Sequence, residues 1–448
     1  MTALTEALRV QLAAKGVRYL FAQFSDIHGT PRGKIVPLEH IEALFNVGAG
    51  FAGPSIAGTG LPRAGVRAEY YGRGDPDGVT VIPWMPGYAR VVCDGYVAGQ
   101  PFALCPRQLL RKQVERLATH GFSLNAGIEP EFFLLQRADD GRLLPADEQD
   151  KLEKPSYDYK SLTRQTEFIT DLVDTLRACD LDVFQIDHED ANSQFEINYR
   201  YAEALRAADD LMLFKMAAHS VAEEYGYIFS MMPKPFADRP GSGLHFHLSL
   251  NDAAGNAPFA DTLDPAGHGL SKIGLAFMGG LLHHAPALTA LCAPTVNSYK
   301  RLVIGESLSG STWAPAHIGY GFNNRTTVAR TVAGRIEWRL PDASANPYIA
   351  LAGVIAAGLD GIERDLAAGT PIDDDLYELS PAELKRRGIS TLPQSLREAV
   401  AALEADGVLR EHLGNEFCDE FVHLKRMEWI EFSRVVHAWE VERYSDRF

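Results

Sequence analysis

The stretch GIEPEFFLL, residues 127–135, sets two carboxylates within a strongly apolar segment. Successive side chains of a β-strand point to opposite faces, so Glu129 and Glu131 share one face of this segment. Phe132 and Phe133 indicate that the strand is largely buried. Two buried carboxylates side by side repel each other unless a cation joins them. The stretch therefore predicts either a cation site or the solvated face of an edge strand, and on its own it leaves both open.

Helices and strands follow one another irregularly on both sides of this strand, which predicts an α+β fold with a mostly antiparallel sheet. Residues 1–105 are rich in short strands, and a helix with proline near its start and glycine after it follows, so we place a domain boundary near residue 105. The expected elements are strands 19–26, 79–84 and 88–94, helix 105–121, strand 124–136, helix 161–178, strand 194–200, helix 201–225, strand 242–250, helix 271–290, strand 335–341, helix 346–366 and a long amphipathic helix 424–444.

A second acidic cluster lies in QIDHEDANSQFEINYR, residues 185–200. Glu189 and Glu196 flank its turn-like centre, and Glu196 begins an apolar strand. Asp187 and Asp190 are interpreted as solvated loop acids. Only the two glutamates are therefore candidate metal ligands.

Two histidines lie on one polar strand face in GSGLHFHLSL, residues 241–250, where His245 and His247 share that face with Ser249. A lone histidine is usually a satisfied core residue, but two on one polar face after Gly-Ser-Gly favour a site.

A fourth cluster, GRIEWRLPD at residues 334–342, alternates Arg335, Glu337 and Arg339 with apolar residues. It fits either the floor of a site or a charge ladder on the surface.

These four strands together supply five glutamates and one or two histidines without a thiolate, a set that suits Mg²⁺ or Mn²⁺ better than zinc. Arginines near them in sequence could neutralise phosphate charge, so the combination describes a phosphoryl-transfer site. These arginines are Arg301, Arg325, Arg330, Arg335 and Arg339. The chain has no P-loop and no GxGxxG motif, so a nucleotide would be bound by another fold.

Composition excludes some partners. The 448 residues carry a net charge of −16, which argues against nucleic acid or an anionic membrane surface as the main partner. Five scattered cysteines without a CxxC motif are typical of a reducing compartment, so we expect a cytoplasmic protein. The apolar run 273–294 contains two histidines and a proline and predicts a buried helix, not a membrane span.

The order of these motifs resembles the glutamine synthetase family over nearly the whole chain. The segments that carry the resemblance are EPEFF, HEDANSQFEINYRYAEALRAADD, GSGLHFHLSL, APTVNSYKRL, NNRTTVAR and RIEWRLPDASANPYIA. The resemblance implies an N-terminal β-grasp domain at residues 1–105 and, at 106–448, a catalytic domain of the glutamine synthetase/guanido kinase type with a curved antiparallel sheet. It also implies a double-hexamer ring with active sites between neighbouring subunits.

The resemblance further implies roles for individual residues. Two or three Mg²⁺ or Mn²⁺ ions are expected per site, one bound by Glu131, Glu189 and Glu196, another by Glu129, His245 and Glu337. ATP contacts are expected from His247, Ser249, Arg325, Arg330 and Arg335, and glutamate contacts from Glu131, Gly241, Arg301 and Arg339. The implied reaction phosphorylates the glutamate side chain with ATP, and an amine then displaces phosphate. Arg325 and Arg339 are expected to stabilise the transferring phosphoryl group.

Departures from the family pattern concern the amine. Ala52 in FAGPSI replaces an aspartate, and Trp313 in STWAPA replaces a glutamate, both of which handle ammonium in ammonia-using members. An apolar surface and an aromatic face favour an alkylamine over ammonium. The resemblance is accordingly greatest to the subgroup that joins glutamate to methylamine, with Trp313, Ala52 and Glu306 as the expected amine contacts.

Several alternatives stay open at the level of sequence. The chain could use ammonia, or another small amine such as a polyamine or ethanolamine, or it could be a regulator without catalysis. Glu306, Glu189 or Asp187 could accept the proton of the amine. Tyr377 lies in a segment that resembles the one where some family members carry a regulatory adenylylated tyrosine, although an ordinary loop tyrosine is the alternative.

Overall fold

The N-terminal part of the chain is built on one sheet. The computed structural model describes residues 3–261, 264, 269–304, 313–332 and 334–448. The N-terminal elements are α1 (Ala3–Ala14), β1 (Tyr19–Ser25), β2 (Pro31–Pro37), α2 (Ile41–Asn46), β3 (Ala49–Ala52), β4 (Glu69–Val81), β5 (Tyr88–Val97) and β6 (Gln100–Pro101). The strands run in the order β2-β1-β5-β4-β3, with β6 beside β5. Only the β1–β5 pair among the described strands of this sheet is parallel.

A larger sheet lies at the centre of the remaining chain. Its strands are β7 (Phe122–Arg137), β8 (Leu143–Pro145), β9 (Val183–His188), β10 (Gln194–Tyr199), β11 (Ala202–Glu203), β12 (Ile228–Ser230), β13 (Leu244–Asp252), β14 (His317–Phe322), β15 (Thr327–Val332) and β16 (Arg335–Trp338). The main order is β14-β15-β16-β13-β7-β10-β9, while β8, β11 and β12 also pair with β7. All described pairs except β14–β15 are antiparallel, which confirms the predicted α+β fold with a mostly antiparallel sheet.

Helices pack around this sheet. They are α3 (Pro106–Thr119), α4 (Tyr159–Arg164), α5 (Thr166–Ala178), α6 (Ala204–Glu224), α7 (Lys272–His283), α8 (Ala285–Cys292), α9 (Pro347–Glu363), α10 (Pro381–Arg386), α11 (Leu396–Ala405), α12 (Gly407–Leu413), α13 (Asn415–Ser433) and α14 (Ala438–Tyr444). Helix α9 is the most deeply buried of the long ones, since its residues 347–361 are all buried. The apolar residues of β7, β13, α6, α8 and α9 share one large core.

Three predicted helices are wrong in extent because each is interrupted. The predicted helix 161–178 is divided at Gln165, and the predicted helix 271–290 is bent by 74° at His284. The predicted helix 424–444 begins earlier, at Asn415, and ends at Ser433. A capping box formed by His437 and Glu440 then starts α14.

The apolar helices α7 and α8 meet at the bend at His284. Among the described residues, no single helix is long and apolar enough to cross a membrane, and α7 and α8 reach that length only as a bent pair. Most of their side chains lie in the core, as expected for a buried segment.

A buried ion network joins the two sheets through α3. Arg107 is 4% exposed at its side chain and contacts Asp75 of β4 at 2.9 Å, Asp94 of β5 at 2.9 Å and Asp209 of α6 at 2.8 Å. Tyr348 donates a further hydrogen bond to Asp209 at 2.7 Å. Breaking a buried ion pair leaves an uncompensated charge, so these contacts fix the N-terminal sheet against the larger one.

His284, at the bend between α7 and α8, makes the free energy of unfolding depend on pH. His284 is 2% exposed, and its ring nitrogens lie 2.6 Å from Asp406 and 3.0 Å from Asp360. Burial disfavours the charged imidazole, but the hydrogen bonds with the two carboxylates outweigh it, and the pKa of His284 is raised. When folding raises the pKa of a group, the group stabilises the folded protein at pH values below its pKa in the unfolded chain, which is about 6.5 for histidine. This stabilisation is lost as the pH rises through the pKa in the folded protein.

We therefore expect His284→Gln to lower the melting temperature at pH 6 by roughly 3 °C more than at pH 9. The measurement is thermal unfolding of both proteins across this range. His219→Gln is the matched control, because His219 is a solvent-facing histidine of α6 whose side chain is 59% exposed. An equal destabilisation by His284→Gln at both pH values would show that packing alone explains the role of this residue.

Candidate active site

Strand register places the acidic residues of three strands in one row. Glu131 of β7 is paired with Glu196 of β10, and Glu196 is paired with Asp187 of β9. Paired residues of neighbouring strands point to the same face at short distance, so three carboxylates meet there. Asp187 was predicted to be a solvated loop acid, but it lies in β9 and belongs to this row.

A second group of side chains lies on the same face, across β7 and β13. Glu129 is paired with His245, and His247 is paired with Glu337 of β16. The His245 Nδ1 atom lies 3.7 Å from a carboxylate oxygen of Glu129 and 3.7 Å from one of Glu337. His247 contacts Glu129 at 2.8 Å and accepts a hydrogen bond from Arg335 at 3.0 Å.

These rows form the floor of a cavity of about 680 Å³. The predicted site residues that line it are Glu129, Glu131, Glu189, Glu196, Gly241, His245, Arg301, Trp313, Arg325, Arg330, Arg335, Glu337 and Arg339. Three predicted site residues within the described part of the chain do not line it. His247 and Ser249 lie further along β13, and Ala52 is exposed at the end of β3. Glu306 lies outside the described residues.

The donor atoms in the cavity fit divalent cations. One donor atom from each of Glu129, His245 and Glu337 lies within 4.8 Å of the others, and the same holds for Glu131, Glu196 and His245. The first group matches a predicted ligand set, while the second has His245 where Glu189 was expected. Glu189 lines the same cavity.

Electrostatics also favour cations on the acidic row. Burial, followed by repulsion from nearby carboxylates, raises the pKa of Glu189 and of Glu196 well above the usual range. The same two causes raise the pKa of Asp187 to about 6. Burial raises the pKa of Glu129, but the attraction of the neighbouring His245 and His247 outweighs it, so the pKa of that carboxyl is lowered. A cluster of carboxylates that oppose one another's ionisation gains from bound Mg²⁺ or Mn²⁺, which are hard ions that prefer oxygen ligands.

Residues that orient the carboxylates were missed by the sequence reasoning. The Gly243 amide donates to Glu131 at 2.8 Å, Gln194 donates to Glu131 at 3.3 Å, and Asn198 donates to Glu196 at 2.9 Å. Gln194 and Asn198 lie two residues before and two residues after Glu196 on β10. The two-residue period of a strand could have identified them as neighbours on the same face.

Three buried arginines, Arg301, Arg330 and Arg339, line the same cavity. Arg339 contacts Glu337 at 2.6 Å, and Arg330 contacts it at 2.7 Å. Arg301 is 5% exposed, and within the described part of the chain it donates only to the carbonyls of Leu340 and Arg339, at 3.4 and 3.5 Å. A buried guanidinium with long contacts to carbonyls alone is suited to a carboxylate ligand, because charge-assisted bidentate pairing is its strongest interaction.

Trp313 covers one edge of the cavity. Its side chain is 48% exposed, and its carbonyl accepts a hydrogen bond from Arg339 at 3.0 Å. The carbonyl of the next residue, Ala314, accepts from the hydroxyl of Tyr377. Trp313 is therefore an aromatic side chain available to a ligand, on a segment held by two donors.

A third acidic group lies outside the cavity and carries no comparable chemistry. Donor atoms of Asp360, Glu363 and His412 lie within 4.8 Å of one another. Arg116 contacts Glu363 at 2.7 Å, and Arg364 contacts Asp360 at 2.9 Å. These guanidinium groups already neutralise the two carboxylates, so we assign no metal to this group.

Comparison with known proteins agrees with this geometry. Residues 103–444 match the family model described as glutamine synthetase, catalytic domain. The glutamate–methylamine ligase of Methyloversatilis universalis is 51% identical over 432 residues, which cover 96% of this chain and 97% of that protein. A glutamine synthetase of Halobacterium salinarum is 38% identical over 463 residues, which cover 100% of this chain and 98% of that protein. A solved GmaS/ADP complex has a TM-score of 0.91 at 39% identity and covers 98% of this chain and 99% of that chain.

Proposed function

Because the chain belongs to the glutamine synthetase family, we propose that it is an ATP-dependent ligase that joins L-glutamate to methylamine. The products are γ-glutamylmethylamide, ADP and phosphate, and the intermediate is γ-glutamyl phosphate. Trp313 carries the choice of amine, since an aromatic side chain lines the cavity at the position where the family pattern has a carboxylate. The named ligase of Methyloversatilis universalis supports the same choice.

Glutamate is bound by two buried arginines that line the cavity, Arg301 and Arg339. Arg301 offers a buried guanidinium to the substrate, and Arg339 lies beside it, 2% exposed. Gly241 lines the cavity near them, and a side chain there would meet the Pro233 carbonyl at 2.3 Å from the added Cβ. The close approach of the Pro233 backbone therefore requires glycine at this position of the cavity wall.

The phosphates of ATP face the carboxylate floor and the exposed arginines. Glu129, His245 and Glu337 would hold one Mg²⁺ or Mn²⁺ ion, and Glu131 with Glu196 another. Such ions, when bound, screen the negative charge between nucleotide and protein. The cavity-lining Arg325 and the buried Arg339 stabilise the charge on the transferring phosphoryl group, because fixed donors cost no reorganisation during the reaction.

Trp313 binds the amine. A methylammonium ion over a Trp face gains about 0.5–2 kcal/mol from cation–π attraction, and burial of its methyl group adds about 0.8 kcal/mol. The amine must lose a proton before it attacks γ-glutamyl phosphate. Asp187 and Glu189 both line the cavity and remain the alternatives for this role beside Glu306.

Product formation tests the proposal directly. We expect the purified chain, given glutamate, ATP and Mg²⁺, to release ADP with a kcat/KM for methylamine at least about tenfold above that for ammonium. Repeating the assay with Mn²⁺, and with EDTA in place of either ion, measures the metal requirement. A higher kcat/KM for ammonium would instead identify a glutamine synthetase, the activity named for the relative from Halobacterium salinarum.

The assembly and the compartment belong to the same proposal. We place the enzyme in the cytoplasm, since all five cysteines are free and buried. We also propose a double-hexamer ring, in which Ala52 of one subunit completes the cavity of its neighbour. The exposed position of Ala52, and the exposed apolar side chains of Ile35, Val47 and Val66 in the same part of the chain, support this arrangement.

A further inference from the structure

Tyr377 belongs to a segment that is firmly attached beside the cavity. The Ile372 amide donates to the Tyr320 carbonyl at 2.8 Å, and the Leu376 amide donates to the Thr326 hydroxyl at 3.2 Å. The Asn324 side chain donates to the carbonyls at both ends of 372–374, at 2.9 and 3.0 Å. Segment 372–376 is thus bonded to β14 and to the turn that leads into β15.

From this base Tyr377 reaches the segment that carries Trp313. Its hydroxyl donates to the carbonyl of Ala314, one residue after Trp313. Burial raises the pKa of Tyr377 to about 12, so the hydroxyl keeps its proton at neutral pH and remains a donor. Two consecutive carbonyls are therefore held, one by Tyr377 and one by Arg339.

The two donors differ in what substrate binding does to them. Arg339 also contacts Glu337 at 2.6 Å and lines the cavity. The proposed function assigns it to glutamate and to the transferring phosphoryl group, so these substrates compete for its bond to the Trp313 carbonyl. Tyr377 does not line the cavity. Its bond to Ala314 can persist when Arg339 turns to the substrates.

We propose that Tyr377 is a positioning residue that holds Trp313 over the amine while Arg339 is occupied by substrates, and that it thereby contributes to the choice of amine. The choice of methylamine rests on the proposed function, whereas the positioning of Trp313 rests on the contacts of Tyr377. Loss of the hydroxyl frees the Trp313 segment during turnover, which weakens amine binding and leaves the ATP site unchanged.

Tyr377→Phe tests this inference, since it removes the donor and keeps the ring. We expect the KM for the amine to rise about tenfold, which is the effect of one lost hydrogen bond. The methylamine-to-ammonium ratio of kcat/KM should fall at least about threefold, and kcat and the KM for ATP should stay within about twofold of the parent. Tyr320→Phe is the matched control, because Tyr320 also donates to a carbonyl, that of Gly369, at 3.2 Å.

Tyr377→Phe is also tested in a Trp313→Ala variant, which distinguishes positioning of Trp313 from a general structural role of Tyr377. In Trp313→Ala the aromatic side chain is absent, so adding Tyr377→Phe should change the amine ratio less than about twofold. An unchanged ratio and amine KM in Tyr377→Phe alone, or an equal loss in the Trp313→Ala background, would overturn the inference. If the parent enzyme prefers ammonium, the proposed substrate is wrong. The inference about Tyr377 then requires that Tyr377→Phe raise the KM for ammonium and leave the KM for ATP unchanged, and equal changes in both would overturn it.

Discussion

Glu129→Ala is expected to abolish ADP formation, with a loss of about 10³-fold or more in kcat, while the protein remains folded. Glu129 lies within 4.8 Å of His245 and Glu337 through their donor atoms, the arrangement that fits a divalent ion beside the nucleotide. Removing a ligand of such an ion takes away several kcal/mol of charge stabilisation, which is a rate factor of about 10³. Folding should be retained because the Glu129 side chain is 27% exposed and makes no contact with a buried arginine among the described residues.

Three measurements check this result. ADP release gives the rate, circular dichroism and thermal unfolding give the folded state, and Mn²⁺ binding followed by electron paramagnetic resonance gives the occupancy of the site. Glu203→Ala is the matched control, an exposed glutamate on β11, which pairs with the same strand β7. Turnover above a tenth of the parent rate in Glu129→Ala would contradict the ligand assignment.

Glu337→Ala tests the same metal-ligand assignment but is expected to lower the free energy of unfolding as well. Arg330 and Arg339 both pair with Glu337, so its removal leaves two buried guanidinium groups without their carboxylate. Breaking a buried pair in this way destabilises a protein by about 3–5 kcal/mol. We expect Glu337→Ala to lose both turnover and several degrees of melting temperature, whereas Glu129→Ala loses turnover alone.

Trp313→Glu is expected to lower the methylamine-to-ammonium ratio of kcat/KM by about 30-fold. The loss corresponds to about 2 kcal/mol, the sum of a cation–π contact and one buried methyl group. The carboxylate also offers ammonium a counter-ion that the parent cavity lacks at this position. Since Trp313 is 48% exposed and is held through its backbone carbonyl, the change should leave the fold unaffected.

Two controls define what Trp313 does. Trp313→Phe keeps an aromatic face and should give an intermediate ratio. Trp439→Glu changes another exposed tryptophan, on α14, and should leave the ratio unchanged. If Trp313→Glu itself leaves the ratio unchanged, Trp313 only packs over the cavity, and the choice of amine lies elsewhere.

Local patterns in the sequence predicted the strands that carry Glu129, Glu131, Glu196, His245 and Glu337, and with them the faces that these side chains occupy, but β9, β14 and β15 were not predicted. Glu129 and Glu131 were assigned to one face by the two-residue period, and both line the cavity. The neighbours across the sheet were not predictable in the same way. Asp187 was separated from Glu196 by an apparent turn, and only the register of β9 against β10 brings them opposite each other.

The interruptions of helices were also missed. The apolar periodicity of 271–290 continues through His284, and the local signal of a bend that was passed over is Pro286 in the first turn of α8. The partner that holds His284 at the bend is Asp406, 122 residues away. Ser193, in the turn between β9 and β10, has a φ of 57°, a left-handed backbone conformation that favours glycine, and its residue type gave no signal of it.

The network around Arg107 restricts how this protein can be recombined with its relatives. A chimaera joined at residue 105 takes Asp75 and Asp94 from one parent, and Arg107 and Asp209 from the other. A donor that lacks either aspartate would leave a guanidinium buried without its full complement of carboxylates. Exchange of amine-binding segments between family members should therefore keep these four residues together, or place the crossover after α6.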